Sequence, residues 1–289
     1  MWVLLSLCGA LGQAVSMALK KKLLQVPRIN NVIGFVSFLV AGIIFAFIQF
    51  SVEGSFWHPD LSLRFWYAMF WYAGLNVLAV YFMYKALDLM NFSVLTPFMA
   101  LTSLSMIIPP AILLNEFPSG IALVGIIIVV IGSIIISKKK KGDNGKPTIR
   151  GIKYFLVTIG CYTIAPTATK ISIAESSPIF SSMVVHLLIS LGFLLMIFLF
   201  REKNMLRRVI ADSKLLFIIV LAGVLIVMEN GCINIALKTG LVANVFAIKR
   251  VMPIFGLIIG LIFFKERLTR RIVLSAILMI IGAVLITLF

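Results

Sequence analysis

Glu229, Lys249 and Arg250 fall inside long apolar runs on either side of a turn at Thr239-Gly240. Glu229 lies about ten residues before that turn, and the two cations about ten after it. On antiparallel helices rising 1.5 Å per residue, all three reach one height, about 15 Å in. A charge at that depth in a bilayer is expensive and faces the bundle interior or water. Successive helical positions point about 100° apart, so Lys249 and Arg250 cannot face Glu229 equally well. One pairs; the other is left for something else. Two readings follow. The first is a structural ion pair whose spare cation snorkels or hides in protein. The second is a site of net positive charge for a carboxylate or phosphate, with arginine able to grip it bidentately. In the second, Glu229 meets a substrate ammonium or takes up a proton for coupling.

Neutral polar groups add to the same cavity: Asn230, Asn234 and Asn244 near the charged residues, Asn76 and Tyr84, Gln13 and Ser16, and Tyr162 with Thr163. Each serves equally well as a substrate contact or as an interhelical hydrogen bond. His186 is a second proton-coupling candidate beside Glu229, with a packing role as its plainer alternative. Pro97, Pro109, Pro110, Pro166 and Pro253 each remove a backbone donor within an apolar run, and so predict kinks or hinges. Gly256 and Gly260 form a small-xxx-small face for close helix packing. Cys8, Cys161 and Cys232 have neither disulfide nor metal-ligand spacing and read as small apolar packers.

Helices in a membrane must position these residues. The 289 residues are 62% hydrophobic and 12% charged, with a mean hydropathy of +1.14, far from the soluble norm of about half apolar and a quarter charged. Soluble and disordered classes are excluded. Ten spans are predicted, at 2–19, 31–50, 65–87, 92–114, 120–136, 152–174, 179–200, 214–237, 241–263 and 270–289. The runs are continuously apolar rather than alternating, so they are helices and not barrel strands. The first is read as a retained signal-anchor helix.

A shift of 150 residues lays the chain on itself without a gap. Lys20 meets Lys170, Gly42 meets Gly192, Glu116 meets Glu266 and Gly132 meets Gly282; Ser119 falls opposite Thr269, each at the start of a span. Each half has five spans, an odd number, so the second half inserts inverted. Inverted repeats are characteristic of secondary transporters, with the site near the midplane between halves. Glu229, Lys249 and Arg250 correspond to Ala79, Met99 and Ala100, so the charge at this level was introduced in one half alone. The chain is all-α: residues 1–137 are the first repeat, 138–151 a basic cytoplasmic linker and 152–289 the second repeat.

The net charge of +16 follows the topology. Of 26 Lys and Arg, 21 fall in Lys20–Arg28, at Lys85, and in Lys138–Lys153, Arg201–Lys214 and Lys265–Arg271, all at connections after odd-numbered spans. The other connections hold Arg64, Lys170 and Lys238. The positive-inside rule puts the basic set in the cytoplasm and both termini outside. The basic face attracts anionic lipids and is no nucleic-acid patch. Lys20 and Lys170 read as snorkelling; Glu116 and Glu266 read as structural anions at the starts of the following helices.

The ends of the halves carry a recognisable pattern. Asn91-Phe92-Ser93-Val94-Leu95-Thr96-Pro97-Phe98 leads to Leu114-Asn115-Glu116, then Gly125 and Gly132. Ala243-Asn244-Val245-Phe246 leads through Pro253 to Phe264-Lys265-Glu266-Arg267-Leu268-Thr269, then Gly282. This resembles the EamA-type branch of the drug/metabolite transporter superfamily over essentially the whole chain. The resemblance implies ten helices as two five-helix repeats around a central cavity, and export of amino acids or other small metabolites across a prokaryotic cell membrane. The small multidrug branch of that superfamily has an acid eight residues before a lysine in its first helix. Here Gln13 stands eight before Lys21, and Thr163 is its repeat partner, which argues against lipophilic-cation efflux.

The expected function is a secondary carrier, an exporter of a small polar metabolite with an anionic group, amino-acid-like, working by alternating access. The alternatives are a lipid-headgroup flippase or scramblase, and cation or drug efflux. No HExxH, GxSxG or P-loop is present, so an enzyme is not expected. No cofactor or metal is predicted. The expected partners are the small-molecule substrate, anionic lipids and coupling protons, with the chain a monomer or homodimer.

Overall fold

Continuous apolar runs favour helices, and a computed structural model of the protein is helical, with no strand among the described residues. It describes residues 1–23, 29–58, 60–89, 102, 104–137, 148–255, 258 and 270–288. Eight helices in this set have 18 to 27 residues: α1 (Trp2–Leu23), α2 (Asn30–Glu53), α3 (Leu63–Leu89), α5 (Gly120–Ser137), α6 (Ile149–Ala174), α7 (Pro178–Leu199), α9 (Ser213–Thr239) and α11 (Arg270–Leu288). Three are short: α4 (Ile108–Leu114), α8 (Lys203–Ala211) and α10 (Val242–Lys249). By length and composition, α2, most of α3, α7 and α9 can each cross a membrane. Bulky apolar side chains point outward from them, with Phe47, Phe70, Trp71, Leu195 and Phe217 each more than half exposed. In water that surface would aggregate; in lipid it is solvated.

Side-chain caps set the helix starts. Ser119 accepts from Ala122 N–H, as an N-cap hydroxyl should; Thr148, Ser177 and Asp212 do the same for α6, α7 and α9. Gly54 ends α2 at φ +68°, in the left-handed region that glycine enters without penalty.

The most extensive packing joins α3 to α6, α5 to α11, α2 to α7 and α1 to α9. Each pair has one helix from each half of the chain. Phe45 on α2, Phe65 and Met69 on α3, and Phe180 and Phe193 on α7 form one apolar core. On α5 and α11, a side chain on Gly125 would lie 2.7 Å from the Gly282 carbonyl oxygen. Only the absence of a Cβ lets these backbones meet.

The predicted spans at 92–114 and 241–263 lie partly outside the described residues. What is described of them is interrupted. Thr102, Leu104 and Ser105 are helical, then the chain turns at Met106–Ile107 before α4, which has Pro109 and Pro110 in its first turn. In the other, α10 stops at Lys249, Arg250 and Val251 form a turn, and Met252–Phe255 resume a helix. Pro253 explains the stop: it has no N–H to give the Lys249 carbonyl. Arg250, Val251 and Ile254 instead donate three residues back, to Ala247, Ile248 and Val251. Pro166 leaves α6 continuous, although it withdraws the donor from the Tyr162 carbonyl. Residues 201–213, read above as connection alone, contain α8. Pro97, Gly256, Gly260, Glu266 and the linker positions 138–147 lie outside the described residues.

Candidate functional site

The helix break brings the charged residues together. Lys249 Nζ donates to Glu229 Oε1 at 2.8 Å, and each side chain is 12% exposed. Counting from the turn therefore placed these residues at one height correctly. The same ammonium stands 5.5 Å from the centre of the Phe246 ring, within cation–π range. Arg250, one step further and at the start of the turn, points elsewhere. Its Nη2 donates to the Thr102 hydroxyl, which comes from the other half of the chain. Tyr162 on α6 lies within electrostatic range of that guanidinium.

Three helices close round the pair. Gly12 of α1 meets the Glu229 backbone so closely that a Cβ would sit 3.2 Å from its nitrogen, and at Gly9 one would sit 2.7 Å from Ile233. These glycines let α1 lie flat on α9, and they bring Gln13, half-buried, to the level of Glu229. Tyr72 on α3 lies near Thr169 and Asn76 and within electrostatic range of Glu229. Ser105 and Thr163 hydroxyls meet at 2.6 Å, a second polar link between halves next to Thr102.

The asparagines do not converge on the charged pair. Asn230 and Asn234 are one turn apart and face α7. Asn230 Nδ2 lies 3.0 Å from His186 Nε2, and Asn234 Nδ2 donates to Ser182 Oγ at 2.7 Å. His186 Nδ1 is 2.6 Å from the Ser182 carbonyl. A carbonyl only accepts, so Nδ1 carries the proton and Nε2 accepts from Asn230. Phe38 and Phe45 flank the ring. Asn76 donates back to the Tyr72 carbonyl. Asn244 is buried on α10, and its Oδ1 has no partner among the described residues. The Tyr84 side chain lies outside them.

Thr102 and Tyr72 were missed in the sequence. The available signals were a hydroxyl in an otherwise apolar run and a tyrosine one turn before Asn76.

A second charged cluster ties the halves at one end of the bundle. Lys170 pairs with Glu116 and donates to the Gly240 carbonyl at 2.7 Å. Glu116 also accepts the Val242 N–H at 3.1 Å. Lys170 therefore does not snorkel. Glu116 sits at the N-terminus of α10 rather than that of α5, and anions are favoured there. Nearby, Glu175 accepts from Ser62 at 2.7 Å and lies 3.5 Å from Arg64. Among the described residues, no group of three or more His, Cys, Asp or Glu could hold a metal ion.

A solved crystal structure superposes with a TM-score of 0.80 over 99% of this chain and 96% of its own, at 15% identity; the shared property is the fold. An uncharacterised protein of Methanocaldococcus jannaschii is 28% identical over 116 residues, 40% of this chain and 80% of that relative. The model of the EamA-like transporter family matches residues 1–138 and again 149–288. Because the match runs through both halves and leaves out little beyond the basic linker, the chain belongs as a whole to the EamA-like transporter family, and it is a multi-pass membrane transporter.

Proposed function

We propose that this transporter is a secondary carrier that moves a small polar metabolite bearing a carboxylate or phosphate, amino-acid-like in character, out of the cell by alternating access. Direction follows the family resemblance. The observation that carries the cargo class is Arg250. Two cations and one carboxylate gather at this level among the described residues, a formal excess of one positive charge. One hydrogen bond from Arg250 goes to the Thr102 hydroxyl, a neutral group that an anion can displace at little electrostatic cost. Arg250 then grips the anionic group, Lys249 adds a second donor, and Glu229 receives a substrate ammonium or a proton. The interruption at Pro253 supports this, because broken helices in carriers line the cargo site.

Two observations support the alternation. Gly125 against Gly282 and Gly132 against Ser275 are both close contacts, and a shift of 150 residues exchanges one for the other. Glu116–Lys170 with the Gly240–Val242 turn, and Glu175 with Ser62 and Arg64, fasten the halves together at one end; opening that end requires releasing them. Lys20 and Glu266 are the register counterparts of Lys170 and Glu116. The Lys20 side chain and Glu266 lie outside the described residues.

The test is transport in vesicles by Arg250→Ala and Glu229→Gln. Each is expected to lower uptake of an anionic or zwitterionic substrate at least about a hundredfold, the loss of one charge-assisted contact or more, with the protein still folded. Full transport by both variants removes this site.

A further inference from the structure

Helix α8 joins α7 to α9 at the basic end of the bundle, and its two sides differ. Val209 is buried, and Met205 and Leu206 are half-buried against Ile29, Val32, Ile33 and Val36 of the α2 region, Ile197 of α7 and Ile219 of α9. With Glu202, these positions follow the i, i+3, i+4, i+7 spacing of an amphipathic helix. The other side carries Lys203, Arg207 and Arg208, all exposed, with exposed Arg201 and Lys214 at its ends. The two acids of this segment are engaged elsewhere. Glu202 accepts from Asn31 at 3.0 Å, and Asp212 caps α9 by accepting from the Lys214 and Leu215 N–H groups. What faces outward is therefore basic, beside the exposed apolar side chains Leu199, Phe200 and Ile210.

Arg201 supports the same reading. It takes φ +57° at the end of α7, where its N–H bonds Phe198 and that of Glu202 bonds Ile197. Helix ends of this kind favour glycine. A glycine would fit the turn with less strain, yet the position carries a cation on the same exposed surface.

We propose that α8 is a docking surface for anionic phospholipid headgroups. The helix lies in the interface, its inner face on the protein, its basic side chains among phosphates and its exposed apolar side chains at the acyl boundary. Because its inner face packs on α2 from the first half and on α7 and α9 from the second, a lipid held there bears on the seam between halves. This proposal does not depend on the cargo assigned above.

The test uses detergent-solubilised full-length protein, titrated with phosphatidylglycerol or phosphatidylcholine and followed by thermal unfolding and native mass spectrometry. Phosphatidylglycerol is expected to raise Tm, and phosphatidylcholine is not. The triple variant Lys203→Gln, Arg207→Gln, Arg208→Gln should bind phosphatidylglycerol on the order of tenfold to a hundredfold more weakly, since each interfacial cation contributes about 1 kcal/mol. Lys238→Gln, which removes an exposed cation from the opposite end, should bind as the parent does. The proposal is overturned by undiminished binding in the triple variant, by equal stabilisation with phosphatidylcholine, or by an equal loss in Lys238→Gln.

Discussion

Among the described residues, two lysine–glutamate pairs differ in position along the bundle and in their relation to the repeat. Glu229–Lys249 stands about ten residues from the Thr239-Gly240 turn, and its register partners in the first half are Ala79 and Met99. Glu116–Lys170 stands at the end of the bundle and fastens one half to the other. Its register partners, Glu266 and Lys20, have the same residue types. A charge pair whose types recur in both halves suits the part of a carrier that must serve each face in turn. A pair present once suits the cargo, which needs one site. On the proposed function, the repeated pair belongs to the alternation and the single pair to the cargo.

The comparison can be broken by mutation. Lys249→Ala leaves the Glu229 carboxylate in a confined space without its 2.8 Å partner. It should lower stability by about 3 kcal/mol, read as a fall in the denaturation midpoint in mild detergent. Adding Glu229→Gln should restore most of that loss. If the double variant is as unstable as the single, the cost is not an orphaned charge. Glu116→Gln should lower stability less, by about 1–2 kcal/mol, because the amide still accepts the Val242 N–H. Its characteristic effect should be on turnover, with cargo affinity unchanged; a loss of affinity instead would erase the distinction between the pairs. Arg64→Gln should change stability by under about 0.5 kcal/mol, since that side chain is 63% exposed and 3.5 Å from Glu175. A larger effect would make Glu175 a principal fastening of that end.

Much of this was legible in the sequence, for identifiable reasons. Depth follows from counting residues to a turn, so the common height of Glu229 and Lys249 could be read directly. The 100° step showed that one cation alone could pair well. Which one it was depends on Pro253, whose missing N–H ends α10 and swings Arg250 toward Thr102. Periodicity within one helix does not reveal a contact with another half of the chain. The Glu116–Lys170 pair was hidden for a different reason. The 150-residue register aligns each residue with its own copy, whereas the pair joins non-equivalent positions of different halves. Asn230 and Asn234 were read as cavity-lining because they follow Glu229, but at i+1 and i+5 they point about 100–140° away from it, on a face that meets His186 and Ser182 on α7. In α8 the charge count masked the apolar spacing of Met205, Leu206 and Val209.

Binding of anionic metabolites to purified protein tests whether Arg250 receives the anionic group of the cargo. Thermal unfolding of the parent, Arg250→Gln and Glu116→Gln is followed against a panel of carboxylates, amino acids, phosphate esters and lipophilic cations. At least one anionic or zwitterionic compound is expected to stabilise the parent and Glu116→Gln but not Arg250→Gln. Stabilisation of the parent by lipophilic cations alone, or undiminished stabilisation of Arg250→Gln by the anionic compound, would contradict that role for Arg250.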